Sequence, residues 1–146
     1  MTTITLPSLS EADTGRVADW IVGELTARAE PGAARARAAT WLPVAAALRC
    51  RVHPYNVPGA RRGEYCPAED GAGVITVNLA YGDEQAARVL VHEAAHHFMR
   101  WHVAFECYDC ADAVCCCYDD EPGDVRHQIA RRVERLVLEG LRAAEK

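Results

Sequence analysis

The five residues His92-Glu93-Ala94-Ala95-His96 constrain this chain more than any other stretch. Residues four apart on an α-helix stand one turn apart on one face, so a helix here sets two imidazoles side by side. Two imidazoles so placed reach one tetrahedral Zn2+. Glu93 stands about 60° round the helix from His96. It can therefore act on a water beside the metal, as general base, without being a ligand itself. By composition alone, such a pattern arises by chance in roughly one or two chains of this length per hundred. The flanks sharpen it: Val89-Leu90-Val91 leads in, Phe98 follows, and Glu93 is the one charged residue between Val89 and Met99.

A helix like this needs a core to lie against. The chain has 146 residues, half of them hydrophobic and a quarter charged, which suits one core and predicts a single compact domain over 1–146. No apolar run is long enough to span a bilayer. Residues Met1 to Ser10 lack a basic and then apolar leader, so a cytoplasmic protein is expected. The net charge of −5 argues against direct nucleic-acid binding through a basic surface.

The rest of the pattern predicts an α+β fold, with helices packed on a small three-stranded, mainly antiparallel sheet. Ser10-Glu11-Ala12-Asp13 has the form of a capping box. It opens a helix to about Ala29 with Val17, Trp20, Ile21 and Leu25 facing inward. A second helix after Pro31-Gly32 runs to about Leu42, and Pro43 starts a short separate one. Cys50 to Tyr55, Gly63 to Cys66 and Val74 to Leu79 read as strands, the last burying Ile75, Val77 and Leu79. Asp70-Gly71-Ala72-Gly73 reads as a turn. The motif helix is expected over Glu84 to Arg100. A last helix, from Pro122 to about Ala143, carries the stripe Val125, Ile129, Val133, Leu136 and Val137.

Two histidines leave a ligand position open. His102 has the metzincin spacing after His96, yet Met99 stands where that pattern needs a helix-stopping Gly. In a continuing helix His102 turns about 240° away from His96. The last helix and its approach offer His127, Glu121, Asp124 and Glu134. His127 and Glu134 share the rim of the apolar stripe, and Glu134 is read as a solvated helix charge.

Other signals concern the long connection. Five of the seven cysteines lie between Cys107 and Cys117, a spacing open to a second Zn2+ site, a thiol redox role or buried small hydrophobes. Cys50 and Cys66 would face each other if their strands pair. Seven acids and no Lys or Arg lie between Val103 and Val125. They read as a solvated loop, or as a lining for a basic substrate if they flank the site. Arg131, Arg132, Arg135 and Arg142 read as solvated surface. Tyr81, His53, Tyr108 and Tyr118 are the candidates for stabilising an oxyanion.

From Pro43 to about Val137 the chain resembles the ImmA/IrrE family of metallopeptidases. The likeness starts at Leu42-Pro43-Val44, passes through Cys50-Arg51-Val52 and the strand Gly73-Val74-Ile75-Thr76-Val77-Asn78, and is strongest at Val91-His92-Glu93-Ala94-Ala95-His96. In that family a second helix bears Glu-x-x-Ala, whose Glu is the third zinc ligand. Here the matching segment is His127-Gln128-Ile129-Ala130, with His in place of Glu. The cysteine cluster is no part of the family pattern. The resemblance implies a zincin-like domain in which His92, His96 and His127 hold Zn2+ and Glu93 is catalytic. It also implies a protein or peptide substrate, such as a transcriptional repressor. An extended substrate would then add to the edge of the strand Val74–Leu79. Two other readings stay open: a metal or redox sensor working through Cys107–Cys117, and a catalytically silent module that zinc stabilises.

Overall fold

The computed structural model describes residues 2–5, 11–106 and 125–144. Through them run β1 (Thr2–Thr5), α1 (Glu11–Arg28), α2 (Ala38–Ala47), β2 (Cys50–Tyr55), β3 (Gly63–Pro67), β4 (Gly73–Asn78), α3 (Asp83–His102), β5 (Val103–Glu106) and α4 (Val125–Ala144). The architecture is α+β, with a three-stranded sheet and the motif helix α3 at the centre of the helical layer. No helix among the described residues is long and apolar enough to cross a membrane.

The sheet has the order β2-β4-β3 and is mixed rather than mainly antiparallel. The short turn between β3 and β4 forces those two strands antiparallel, with Tyr65 opposite Ile75. The loop between β2 and β3 is long enough to step over one strand position, about 10 Å. β4 fills that position and runs parallel to β2, with Val52 also opposite Ile75. Two expectations fall with this topology. β4 has a partner on each side, so no substrate strand can add to Val74–Leu79. Cys50 and Cys66 sit on opposite flanks of β4, Cys50 buried and Cys66 exposed. Burial pushes the Cys50 thiol up to about 12, so it stays protonated and unreactive at neutral pH. A second, parallel pair joins β1 to β5.

Other differences are local. Residues 31–37 form turns rather than helix, because side chains take up the carbonyls there: Trp41 Nε1 donates to Arg35 O at 2.7 Å and Thr40 Oγ1 donates to Ala34 O. Pro43 lies inside α2 and starts no new helix. It is exposed, so the carbonyl that loses its helical partner can turn to solvent. β4 ends at Asn78, leaving Leu79 46% exposed in a 3-10 turn. Trp20 is also exposed, its ring set edge-on against Phe98 at 4.9 Å. The Ser10 cap lies outside the described residues.

One core joins Val17, Ile21 and Leu25 of α1, Trp41 and Val44 of α2 and Ile75 of β4 to the inner faces of α3 and α4. Two buried polar residues tie the sheet to what surrounds it. His97 Nε2 lies 2.6 Å from Leu48 O, so it carries the proton, and Nδ1 accepts from the Tyr65 hydroxyl at 2.7 Å. Burial lowers the His97 pKa and keeps the ring neutral. Gly73 leaves the room this needs, since a β-carbon there would lie 2.6 Å from the Tyr65 ring and 2.8 Å from His97 Nδ1. Asn78 accepts from Val57 N and Ala80 N and donates to Val57 O and Arg61 O, all at 2.8–3.1 Å. It fixes the loop that feeds β3. Replacing Asn78 with Ala orphans those backbone groups and should lower unfolding stability by about 3 kcal/mol, read as a shift in the urea midpoint.

Candidate metal centre

α3 buries Leu90, Val91, Ala94, Ala95 and Phe98, so the intervening His92, Glu93 and His96 are left half-buried on the face toward α4 and β3. α4 reaches that face because Ile129, Ala130, Val133 and Val137 are fully buried. His127, two residues ahead of Ile129, is carried in with them. One donor atom from each of His92, His96 and His127 lies within 4.8 Å of the others. Among the described residues, this is the group of His, Cys, Asp and Glu side chains able to hold a metal ion.

The donor set could hold a metal ion, and one pair in it has tetrahedral spacing. His92 Nε2 and His96 Nε2 are 3.3 Å apart, close to the separation of about 3.3–3.4 Å that bonds of 2.0–2.1 Å impose at a tetrahedral centre. A metal needs neutral imidazoles. Burial first, then the neighbouring His92 and His127 rings and the Arg126 guanidinium, lowers His96 from 6.5 to about 3. The Glu93 carboxylate lies 3.9 Å from His92 Nε2, beside the donor group and not in it.

Glu134 corrects the sequence reading. It is no solvated helix charge: its Oε2 lies 3.1 Å from His92 Nδ1 and its Oε1 lies 3.5 Å from Arg88. Arg88 in turn reaches Glu84 at 3.6 Å. A carboxylate only accepts, so His92 Nδ1 bears the proton and the Nε2 lone pair is aimed at the donor group. No sequence signal separates this Glu from the other acid of α4, Glu139. Its role appears only once α4 lies against α3.

His102 is not part of the group. α3 continues through Met99, and His102 ends it exposed, stacked on Phe98 with ring centres 4.4 Å apart. Glu121, Asp124, Tyr108, Tyr118, the Cys107–Cys117 cluster and the acids from Asp109 to Asp124 lie outside the described residues. Of the tyrosines named above, Tyr81 is turned away and donates to Ala60 O. His53 is exposed on β2. Tyr65, which sequence reasoning passed over, lines the triad's pocket of about 210 Å3 together with Gly63, Glu64, His92, Glu93, His96 and His127. Gly63 permits this closeness, because a β-carbon there would overlap Val89 and come within 2.8 Å of Thr76 O. The pocket opens into a larger cleft of about 670 Å3 between α3, α4 and the residues before β3.

Comparisons with protein-family models, with curated proteins and with solved structures return no match to this chain. The site's own chemistry therefore carries any functional conclusion. His127→Ala should strip divalent metal from the purified protein, while His102→Ala should keep it, as elemental analysis will read. Glu134→Gln keeps an acceptor but loses the charge. It should weaken metal affinity by about 10- to 100-fold in a chelator competition, without unfolding the protein.

Proposed function

We propose that this chain is a zinc-dependent metallopeptidase acting in the cytoplasm. The observation that carries this reading is the triad of His92, His96 and His127 with a carboxylate, Glu93, held beside it. Three imidazoles with no fourth protein ligand among the described residues suit a catalytic Zn2+ rather than a closed structural site. The likeness around Val91–His96 to the ImmA/IrrE metallopeptidases points the same way. It also suggests a protein substrate such as a transcriptional regulator.

A zinc ion in such a site supplies Lewis acidity. Glu93 takes one proton from the attacking water as its oxygen adds to the peptide carbonyl carbon. It then hands that proton to the leaving nitrogen as the C–N bond breaks. Glu134 holds His92 in the tautomer that leaves Nε2 free. The substrate-binding strand assigned to β4 moves to β3, an outer strand of the sheet whose residues Gly63, Glu64 and Tyr65 line the triad's pocket. An extended peptide lying along β3 would make main-chain hydrogen bonds and bring its carbonyl past the triad.

Glu93→Gln tests the reading directly. The variant should purify with about one zinc per chain, as the parent should. It should lose hydrolysis of a peptide substrate by at least about 100-fold in kcat. Retained turnover with retained zinc would remove Glu93 from the chemistry and the peptidase mechanism with it.

A further inference from the structure

The chain as a whole is acidic, with a net charge of −5. The cleft beside the triad is not. It is lined by Arg61, Arg62, Arg88, Arg131 and Arg135, against the carboxylates of Glu93, Glu134 and Glu139. Two of those three are engaged, Glu134 on His92 and Arg88 and Glu93 beside the triad. Arg88 is matched by Glu84 and Glu134. Arg61 has Glu64 at 3.5 Å. Among the described residues Arg62 meets neutral groups, donating to Gln85 Oε1 at 3.2 Å and lying over the Tyr81 ring. Arg131 and Arg135 stand one turn apart on α4, exposed and with no ion pair among the described residues. Arg62 on the loop pinned by Asn78 and Arg131 and Arg135 on α4 thus face the cleft from two sides, with Glu139 left at its far end.

The direction of the cleft matters as much as its charge. It leads from the triad along α4 to Glu139 and along α3 back to Gln85. The twelve helical steps from His127 to Glu139 span about 18 Å, enough for roughly five residues of extended chain. A basic segment would meet like charge there, and an uncharged one would leave the walls uncompensated. We infer that this cleft selects substrate segments rich in Asp or Glu on one side of the scissile bond, with Arg62, Arg131 and Arg135 as the residues that read them. This rests on the peptidase reading for the word substrate, but the binding preference itself does not.

The test measures binding and cleavage separately. Zinc-loaded Glu93→Gln protein is titrated, by fluorescence anisotropy at low salt, with a labelled Glu-rich heptapeptide and with the same peptide carrying Gln or Lys instead. The acidic peptide should bind about tenfold tighter than the Gln peptide, with the preference shrinking as salt is added. Adding Arg131→Gln and Arg135→Gln to that protein should bring the peptides to within about twofold, at unchanged zinc content, which shows the fold is kept. Equal binding of the three peptides by the parent overturns the inference. So does a preference that survives the double replacement. A dimer of the chain that the double replacement breaks, without peptide preference, also overturns it and gives the cleft to a second copy. Cleavage by protein with Glu93 intact is scored apart: acidic peptide bound with preference but never cut upholds the cleft assignment and tells against the peptidase reading.

Discussion

The packing of α4 on α3 is the contact on which the rest of this site depends. Ile129, Val133 and Val137 have no measurable exposure, and burying three such side chains contributes about 6 kcal/mol. That is enough to bring polar groups along. His127, Glu134 and the buried Arg126 all travel with α4, and each would cost free energy if it arrived without a partner. Glu134 meets His92 and Arg88 on α3. The helix pair is therefore held by apolar area and given its register by a charge-assisted hydrogen bond.

The sheet contributes the second wall. β3 comes close to α3 because Gly63 offers no side chain to Val89, and Tyr65 is tied to His97 on the helix behind it. His96 and His97 are neighbours in sequence with opposite duties. One faces the donor group, and the other turns into the core to join Leu48 and Tyr65. Any movement of β3 is thus opposed by buried hydrogen bonds next to the triad. A site that must hold three nitrogens a few ångströms apart needs that kind of support.

Charge is distributed with similar economy. Glu84, Arg88 and Glu134 form a row in which each charge faces its opposite, and the other oxygen of Glu134 meets His92. Farther along the cleft the arginines of α4 lack such partners among the described residues. Local balance near the imidazoles and local excess beyond them are separate features, although both lie on the same helix face. An ion pair spent on orienting a ligand cannot also recognise a bound segment, and the residues divide accordingly.

Much of this was legible in the sequence, for reasons of range. The i, i+4 pair of His92 and His96, the three strand segments and the stripe of α4 with His127 at its rim are periodic signals within a turn or a pleat. Backbone geometry alone turns such spacing into a shared face. Helix α2 escaped because Pro43 looked like a start signal, whereas an exposed position tolerates it. The mixed sheet escaped because strand order depends on how far a loop can step, and no local pattern records that. Glu134 looked like any surface acid, because its partner His92 lies 42 residues away. The convergence of Arg61 and Arg62 with Arg131 and Arg135 was equally hidden, since their segments meet only across the cleft. The sequence determined which residues share a face of each element. Tertiary packing alone decided which faces meet, because that choice is set by the burial of apolar area over the whole chain and not by any neighbourhood along it.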